Sequence, residues 1–371
     1  MRWMFFISLA LIAYTFLVYP LLLLIRSKFR FRPVRRASIE PPVSVVIAMH
    51  NEARAVEQKL QNLADLDYPR ELLQIIVVSD GSTDGTYELL VNSPVPLERI
   101  CLPTHQGKAA ALNHGVQQAR GEIVVFMDVR QRIVPSALRS LVSCFADPDV
   151  GAVSGELVLG NPQKPDYGCE LSLYWKIEKA VRKLESETHS AVGATGALYA
   201  VRRRLIPTLP PSAILDDLLI PMSVVRQGYR VVFDEEAIAV DDVVPDARAE
   251  FRRKVRTLMG NYQLVRLAPW LLTSENKLLW EFISHKLLRL VVPFALLGAF
   301  IGNWGLMDSV IGRTMLVLQV AFYALAFVGL ARPVRSSLRA SGVAFSFALL
   351  NTAAVVGLLK FLARKKDVWA R

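Results

Sequence analysis

Four stretches of this chain carry no charged residue: Trp3–Ile25, Leu290–Met307, Thr314–Ala331 and Ala340–Leu359, of 23, 18, 18 and 20 residues. A helix needs about 20 apolar residues to cross a hydrocarbon core about 30 Å thick. All four qualify, the second and third narrowly, which excludes a purely soluble protein and predicts four membrane-spanning helices. The first stretch is too long for a signal-peptide core, and no small-x-small cleavage site precedes the basic block after it, so it reads as an uncleaved anchor. That block, Arg26–Arg36, holds six Lys/Arg and no acid. Basic flanks stay inside. Residues 26–289 are therefore expected on the cytoplasmic face of a plasma (inner) membrane, with the N-terminus outside. Three further spans would put the C-terminus outside; the basic tail Arg364–Arg371 objects, and the sequence leaves its side open.

The net charge is +11 over 371 residues. The excess sits in Arg26–Arg36, Arg252–Arg256, the Arg332–Arg339 loop and the tail, and three of these blocks flank spans. Anionic lipid headgroups account for such clusters, so membrane lipids rather than nucleic acid are the expected polyanionic partner. Cys101, Cys144 and Cys169 are odd in number and widely spaced, which suits a reducing cytosol and no disulfide framework. The expected organisation is an anchor (1–25), a basic linker (26–40), a cytoplasmic domain (41–247), amphipathic interface helices (248–289), three spans (290–361) and a basic tail (362–371).

Within the cytoplasmic part, Val43–Met49, Ile75–Ser79 and Ile123–Met127 are continuous apolar runs of the kind that suits strands covered on both faces. Helical patterns lie between them at Ala53–Ala64, Thr86–Val91, Lys108–Ala119 and Pro135–Phe145. The alternation predicts an α/β, doubly wound domain with a mainly parallel sheet. Ligands bind beyond the carboxyl ends of such strands. Polar clusters stand there: His50-Asn51-Glu52, the Ser79–Thr86 turn segment, and Asp128-Val129-Arg130-Gln131.

Each cluster has a chemical and a structural reading. Asp80, beside Gly81, can hydrogen-bond a base or ribose, whereas Asp84 suits a helix cap. Gly107-Lys108 opens a helix, a place that favours phosphate, although the P-loop spacing is missing. Asp128 can ligate a hard cation together with substrate phosphate. Arg130 can neutralise phosphate or pair with Asp128. Asp216-Asp217 has apolar neighbours, which raises a carboxyl pKa and suits a general base, or it is a first-turn acidic cap. Arg253 and Arg256, three apart on one helix face, can grip a diphosphate or lipid headgroups. His285-Lys286, before the second span, has the same two readings.

In this order, between membrane anchors, the residues resemble the membrane-bound family 2 glycosyltransferases, the group of cellulose, hyaluronan and poly-N-acetylglucosamine synthases. The resemblance covers about residues 41–260 and the flanking spans. It implies a GT-A fold and a nucleotide-diphospho-sugar donor. Asn51, Glu52, Asp80, Gly81, Lys108, Asp128, Arg130, Arg253 and Arg256 would line the donor site, with Asp80 at the nucleobase. Asp128 would match the first acid of the metal-binding D-x-D and hold Mg2+ or Mn2+. Asp217, beside Asp216, would match the general base. Gly193, Thr195 and Gly196 would match the loop near the acceptor. Two positions depart from the pattern. Arg130 replaces the second acid of D-x-D, in an Asp-x-Arg-Gln form that resembles a bacterial exopolysaccharide-type subgroup. Thr257 replaces the Trp of Q/R-x-x-R-W, which weakens any claim to processive synthesis.

The resulting expectation is an integral membrane, inverting glycosyltransferase serving a polysaccharide or lipid-linked acceptor in exopolysaccharide or cell-envelope glycan synthesis, with polysaccharide-export subunits as candidate partners. The rivals are a non-processive transferase that makes one glycolipid linkage and a catalytically silent membrane scaffold that keeps the fold.

Overall fold

A computed structural model describes residues 1–160, 169–241, 247–331 and 338–363. The basic stretch 332–337 and the tail 364–371 lie outside the described residues. Among the described residues, eight strands form one sheet, in the order β3-β2-β1-β4-β7-β6-β8-β5. They are β1 (Val43–Met49), β2 (Leu73–Asp80), β3 (Glu98–Leu102), β4 (Ile123–Met127), β5 (Arg132–Ile133), β6 (Val150–Leu159), β7 (Leu198–Arg202) and β8 (Arg230–Asp241). β1 pairs in parallel with β2 and β4, and β2 with β3, so the expected parallel half is present. β7 runs antiparallel to both β4 and β6, which makes the sheet mixed.

Successive strand side chains point to opposite faces, and both faces are covered. Val45, Ile47 and Met49 pack with Val56, Leu60 and Leu63 of helix α2 (Ala53–Ala64). Val46, Ile76 and Val78 pack on the other side, where Ala109, Ala111 and Leu112 of α4 (Lys108–Gln118) lie. The short helix between these two, α3, spans Thr86–Val91. α5 (Ala137–Ser143) joins the first core, and α7 (Asp216–Arg226) joins the second.

Three strands escape the sequence reading for identifiable reasons. β3 is a charged edge strand, β5 is two residues long, and β6 is interrupted by Gly151, Gly155 and Glu156. β8 has only a short apolar run, Val231–Phe233, and continues past it through Asp234-Glu235-Glu236, where its register against β6 shifts.

Among the described residues, four helices are long and apolar enough to cross a membrane: α1 (Arg2–Phe29), α9 (Leu279–Leu306), α10 (Val310–Val328) and α11 (Ala340–Leu362). α9 starts well before the charge-free run does at Leu290, because it takes in His285, Lys286 and Arg289. Glutamates on α6 (Cys169–Thr188) face those cations. α8 (Ala247–Leu267) lies between the turn that precedes α7 and α11. A Cβ added at Gly260 would stand 2.6 Å from Leu215, and one at Gly357 of α11 would stand 3.0 Å from the Met259 nitrogen. α8 is thus pressed against the turn before α7 on one side and against α11 on the other.

Candidate active site

The carboxyl ends of β1, β2 and β4 stand side by side and are followed by the polar clusters read from the sequence. Asn51 adopts φ +53°, a left-handed conformation that Asn tolerates better than most residues. Its Oδ1 accepts from Thr83 N at 2.9 Å, and its own N–H donates to Ser82 Oγ at 3.1 Å. Asp84 accepts from Ala53 N at 3.0 Å and Thr86 N at 3.1 Å, so it caps the starts of α2 and α3 together.

Asp80 is fully buried. Its two carboxylate oxygens accept from Gln106 N and Gly107 N, each at 2.8 Å, and His105 Nδ1 lies 2.8 Å from Oδ2. The neighbouring Gly81 N–H donates to Leu102 O at 3.2 Å. Asp80 therefore builds the turn that opens α4, and the next residue, Lys108, is aimed by that turn. Tilted against His105, with ring centroids 4.0 Å apart, is His50, whose Nδ1 donates to the Asp80 carbonyl at 2.6 Å. One ligand atom from each of His50, Asp80 and His105 lies within 4.8 Å of the others, a group that could hold a metal ion.

Lys108 is the hub. Its Nζ lies 2.9 Å from Asp128 Oδ1 and 3.1 Å from Asp216 Oδ1. Burial works against the ammonium, yet Asp128, Asp216 and Asp217 hold its pKa above the usual lysine range. Asp216 is buried and also accepts from the Tyr199 hydroxyl at 2.9 Å. Asp217, half-buried, accepts no side-chain hydrogen bond among the described residues. Burial first, then the charges of Asp216 and Asp128, push its carboxyl up to about 6, against the pull of Lys108 and Lys286. The loop beside it is close. Ala194 N donates to the Asp217 carbonyl at 2.7 Å, Thr195 N donates to Ser154 Oγ at 3.0 Å, and a Cβ on Gly196 would meet Asp217 Oδ2 at 3.1 Å. Gly193 has φ +88° and packs against Leu218.

The Asp128 side chain is 39% exposed, and among the described residues only its Oδ1 has a partner. That suits a hard cation, which takes one or two carboxylates and completes its shell with phosphate and water. The Arg130 guanidinium turns away to Glu52, at 3.4 Å. Burial raises the Glu52 carboxyl, and Arg130 opposes it. Gln131 donates to Asp241 Oδ2 at 3.0 Å, the same oxygen that Arg253 approaches at 3.4 Å, while Arg253 also pairs with Glu250. Arg256 makes no ion pair among the described residues.

Four predicted residues, Lys108, Asp128, Asp216 and Asp217, thus meet at one point, with Gly193, Thr195 and Gly196 beside them and Glu52 and Arg130 at the margin. Asp80 stands behind the site, with its carboxylate given to backbone. The sequence reading missed Tyr199, His105 and Lys59. Lys59 is buried, donates to Gln131 O at 2.9 Å and is pushed down to about 8 by burial. Its signal was available: it falls on the apolar face Val56–Leu60–Leu63, where a lysine needs a partner.

Residues 44–208 match the family model Glycosyl transferase family 2. The chain is 27% identical over 285 residues to the probable glycosyltransferase YdaM of Bacillus subtilis (strain 168), covering 71% of this chain and 67% of that one. It is 22% identical over 242 residues to a poly-beta-1,6-N-acetyl-D-glucosamine synthase of Staphylococcus epidermidis, and spans 64% of its own length and 58% of the synthase. Among solved structures, the mannosyltransferase PcManGT from Pyrobaculum calidifontis, in complex with GDP-Man and Mn2+, superposes with a TM-score of 0.72 at 24% identity, over 98% of this chain and 99% of that one. That likeness is one of fold.

Proposed function

Residues 44–208 form a glycosyl transferase family 2 domain of GT-A fold, and from that premise we propose that the chain is an integral membrane, inverting glycosyltransferase acting at the cytoplasmic face. It moves a sugar from a nucleotide-diphospho-sugar to a hydroxyl of a polysaccharide or lipid-linked acceptor. The observation that carries this reading is that Lys108 bridges Asp128 and Asp216 while the adjacent Asp217 accepts no side-chain hydrogen bond among the described residues and has its carboxyl pushed up to about 6. A base with that pKa is ionised at neutral pH and still able to take a proton.

In this reading Asp217 removes the acceptor hydroxyl proton as the oxygen attacks the anomeric carbon from the face opposite the nucleotide. One displacement inverts that carbon. Lys108, placed by the Asp80 turn, moves from Asp128 towards the leaving diphosphate, and Arg130 and Arg256 add positive charge at its margin. A divalent cation, Mg2+ or Mn2+, would be held by Asp128 and would neutralise charge on the diphosphate. Asp216 stays anchored on Tyr199 and keeps Asp217 basic.

Membranes containing the protein, given radiolabelled nucleotide sugars with Mg2+ or Mn2+, test this. GDP-mannose and UDP-N-acetylglucosamine lead the panel, because the solved neighbour holds the first and the synthase relative is named for a polymer of N-acetylglucosamine. Transfer by wild type and its loss in Asp217→Asn is the expected result; equal transfer by both removes the base assignment. Product size bears on a second reading, single addition. The Thr257 hydroxyl bonds back to its own helix at Arg253 O, 3.1 Å away, and offers no ring for a growing chain. One product rather than a ladder is expected.

A further inference from the structure

A second polar cluster, outside the cleft, joins α6 to the spans α1 and α9. Glu185 on α6 is fully buried. Its Oε1 accepts from the Tyr19 hydroxyl at 2.6 Å and from His285 Nδ1 at 2.7 Å, and its Oε2 accepts from Val192 N at 3.2 Å. The other ring nitrogen of His285 lies 3.1 Å from each oxygen of Glu178, a carboxylate that Arg289 and Arg182 also approach. Burial works against both carboxylates. Arg289 and His285 nevertheless hold Glu178 below the usual range, and His285 and Tyr19 do the same for Glu185.

Buried ion clusters are a poor source of net stability, because desolvation offsets most of the attraction. Their placement is therefore informative. Both spans carry a π-helical turn at this level, Tyr14–Val18 in α1 and Ile283–Leu287 in α9. Such turns are rare and recur at functional sites. The two touch, with the Tyr14 hydroxyl 2.9 Å from Ser284 Oγ and 2.9 Å from Trp280 Nε1. The second turn presents His285 to Glu185, and the first is followed at once by Tyr19. On the far side of Glu185, Val192 leads directly into Gly193–Gly196, the loop against Asp217. Hydrogen bonds thus run from two spans through Glu185 to Val192 N, and two residues of backbone further on, Ala194 N donates to the Asp217 carbonyl.

We propose that Glu185, oriented by His285 and Tyr19, is a positioning residue: it ties Val192, and with it the Gly193–Gly196 loop, to α1 and α9, so that the acceptor side of Asp217 takes its shape only while both spans are docked on α6. The role in transfer rests on the glycosyltransferase reading above; the tethering of the loop does not.

The experiment uses the full chain in detergent micelles, as wild type, Glu185→Gln and Tyr19→Phe. The glutamine keeps the shape of the side chain but cannot accept from three donors as a carboxylate does. Tyr19→Phe removes one hydroxyl and keeps the ring, which covers the case in which Glu185→Gln fails to fold. Hydrogen–deuterium exchange is expected to quicken roughly tenfold over residues 190–197 in Glu185→Gln, and by a smaller factor in Tyr19→Phe, with β1 and β4 unchanged. With GDP-mannose and UDP-N-acetylglucosamine as probes, hydrolysis of the donor by water should stay within about twofold of wild type, while transfer to acceptor falls about tenfold. Unchanged exchange over 190–197 overturns the proposal. So does faster exchange throughout the domain, or an equal fall in hydrolysis and transfer, since each marks a general loss of structure. If wild type consumes neither nucleotide sugar, the exchange comparison alone decides the tether.

Discussion

At the scale of the residue, Asp217 makes the sharpest predictions. A base pushed up to about 6 gives a transfer rate that rises with pH through about 6 and levels above it; a pH profile of kcat/KM checks this. Lys108 pulls that pKa down, so Lys108→Met should move the acidic limb to higher pH as well as weaken donor binding. Asp217→Asn should lower transfer about 10²–10⁴-fold, and yet raise Tm at pH 7.5. The carboxyl loses its proton near 3.8 when unfolded and about 6 when folded, so its contribution to stability falls as pH rises between those values and stays unfavourable above them. A thermal shift of opposite sign would mean that Asp217 is held by contacts rather than poised by burial. Asp128 and Asp217 were legible because they follow or open apolar elements, where a carboxylate stands out. The second role of Asp80 was not: nothing in a one-dimensional pattern says that Gln106 and Gly107 fold back onto it. Tyr199 was invisible for a related reason, since an aromatic in a buried strand reads as core until its hydroxyl is seen on Asp216.

At the scale of the element, the turn before α4 and the loop after α6 decide the site. Asp80→Asn replaces one of the two carboxylate oxygens with a donor, so that either Gln106 N–H or Gly107 N–H loses its acceptor; this is expected to cost about 1–3 kcal/mol, measured by denaturant unfolding, with α4 and Lys108 displaced. Gly193→Ala forces a side chain onto φ +88° and sets its Cβ 2.6 Å from Leu218. A strained position of that kind is expected to cost about 1–3 kcal/mol, read as a loss of transfer larger than the loss of donor binding. The elements of the parallel half were readable, because strands covered on both faces must be apolar throughout. The edge strand β3 and the strands β6 and β8 beyond β7 were not, because they carry charge or glycine at edges, bends and register shifts, where pairing rather than composition holds the strand.

At the scale of the whole molecule, the four apolar helices among the described residues predict that the protein stays in the pellet when membranes are washed with alkaline carbonate, and is released only by detergent. Counting uncharged residues found these helices but placed the start of α9 late, since a cation facing a buried glutamate is compatible with a helix continuing into a span. One packing relation has a genetic consequence. Gly357, within the fourth of these helices, touches α8, and Gly260 of α8 touches Leu215, next to Asp216. A single methyl group introduced at Gly357 would be felt two contacts away at the carboxylate pair. An inherited alteration in an apolar helix outside residues 44–208 can therefore present as an inactive enzyme whose sheet domain is intact, and a search for loss-of-function alleles confined to residues 44–208 would overlook it.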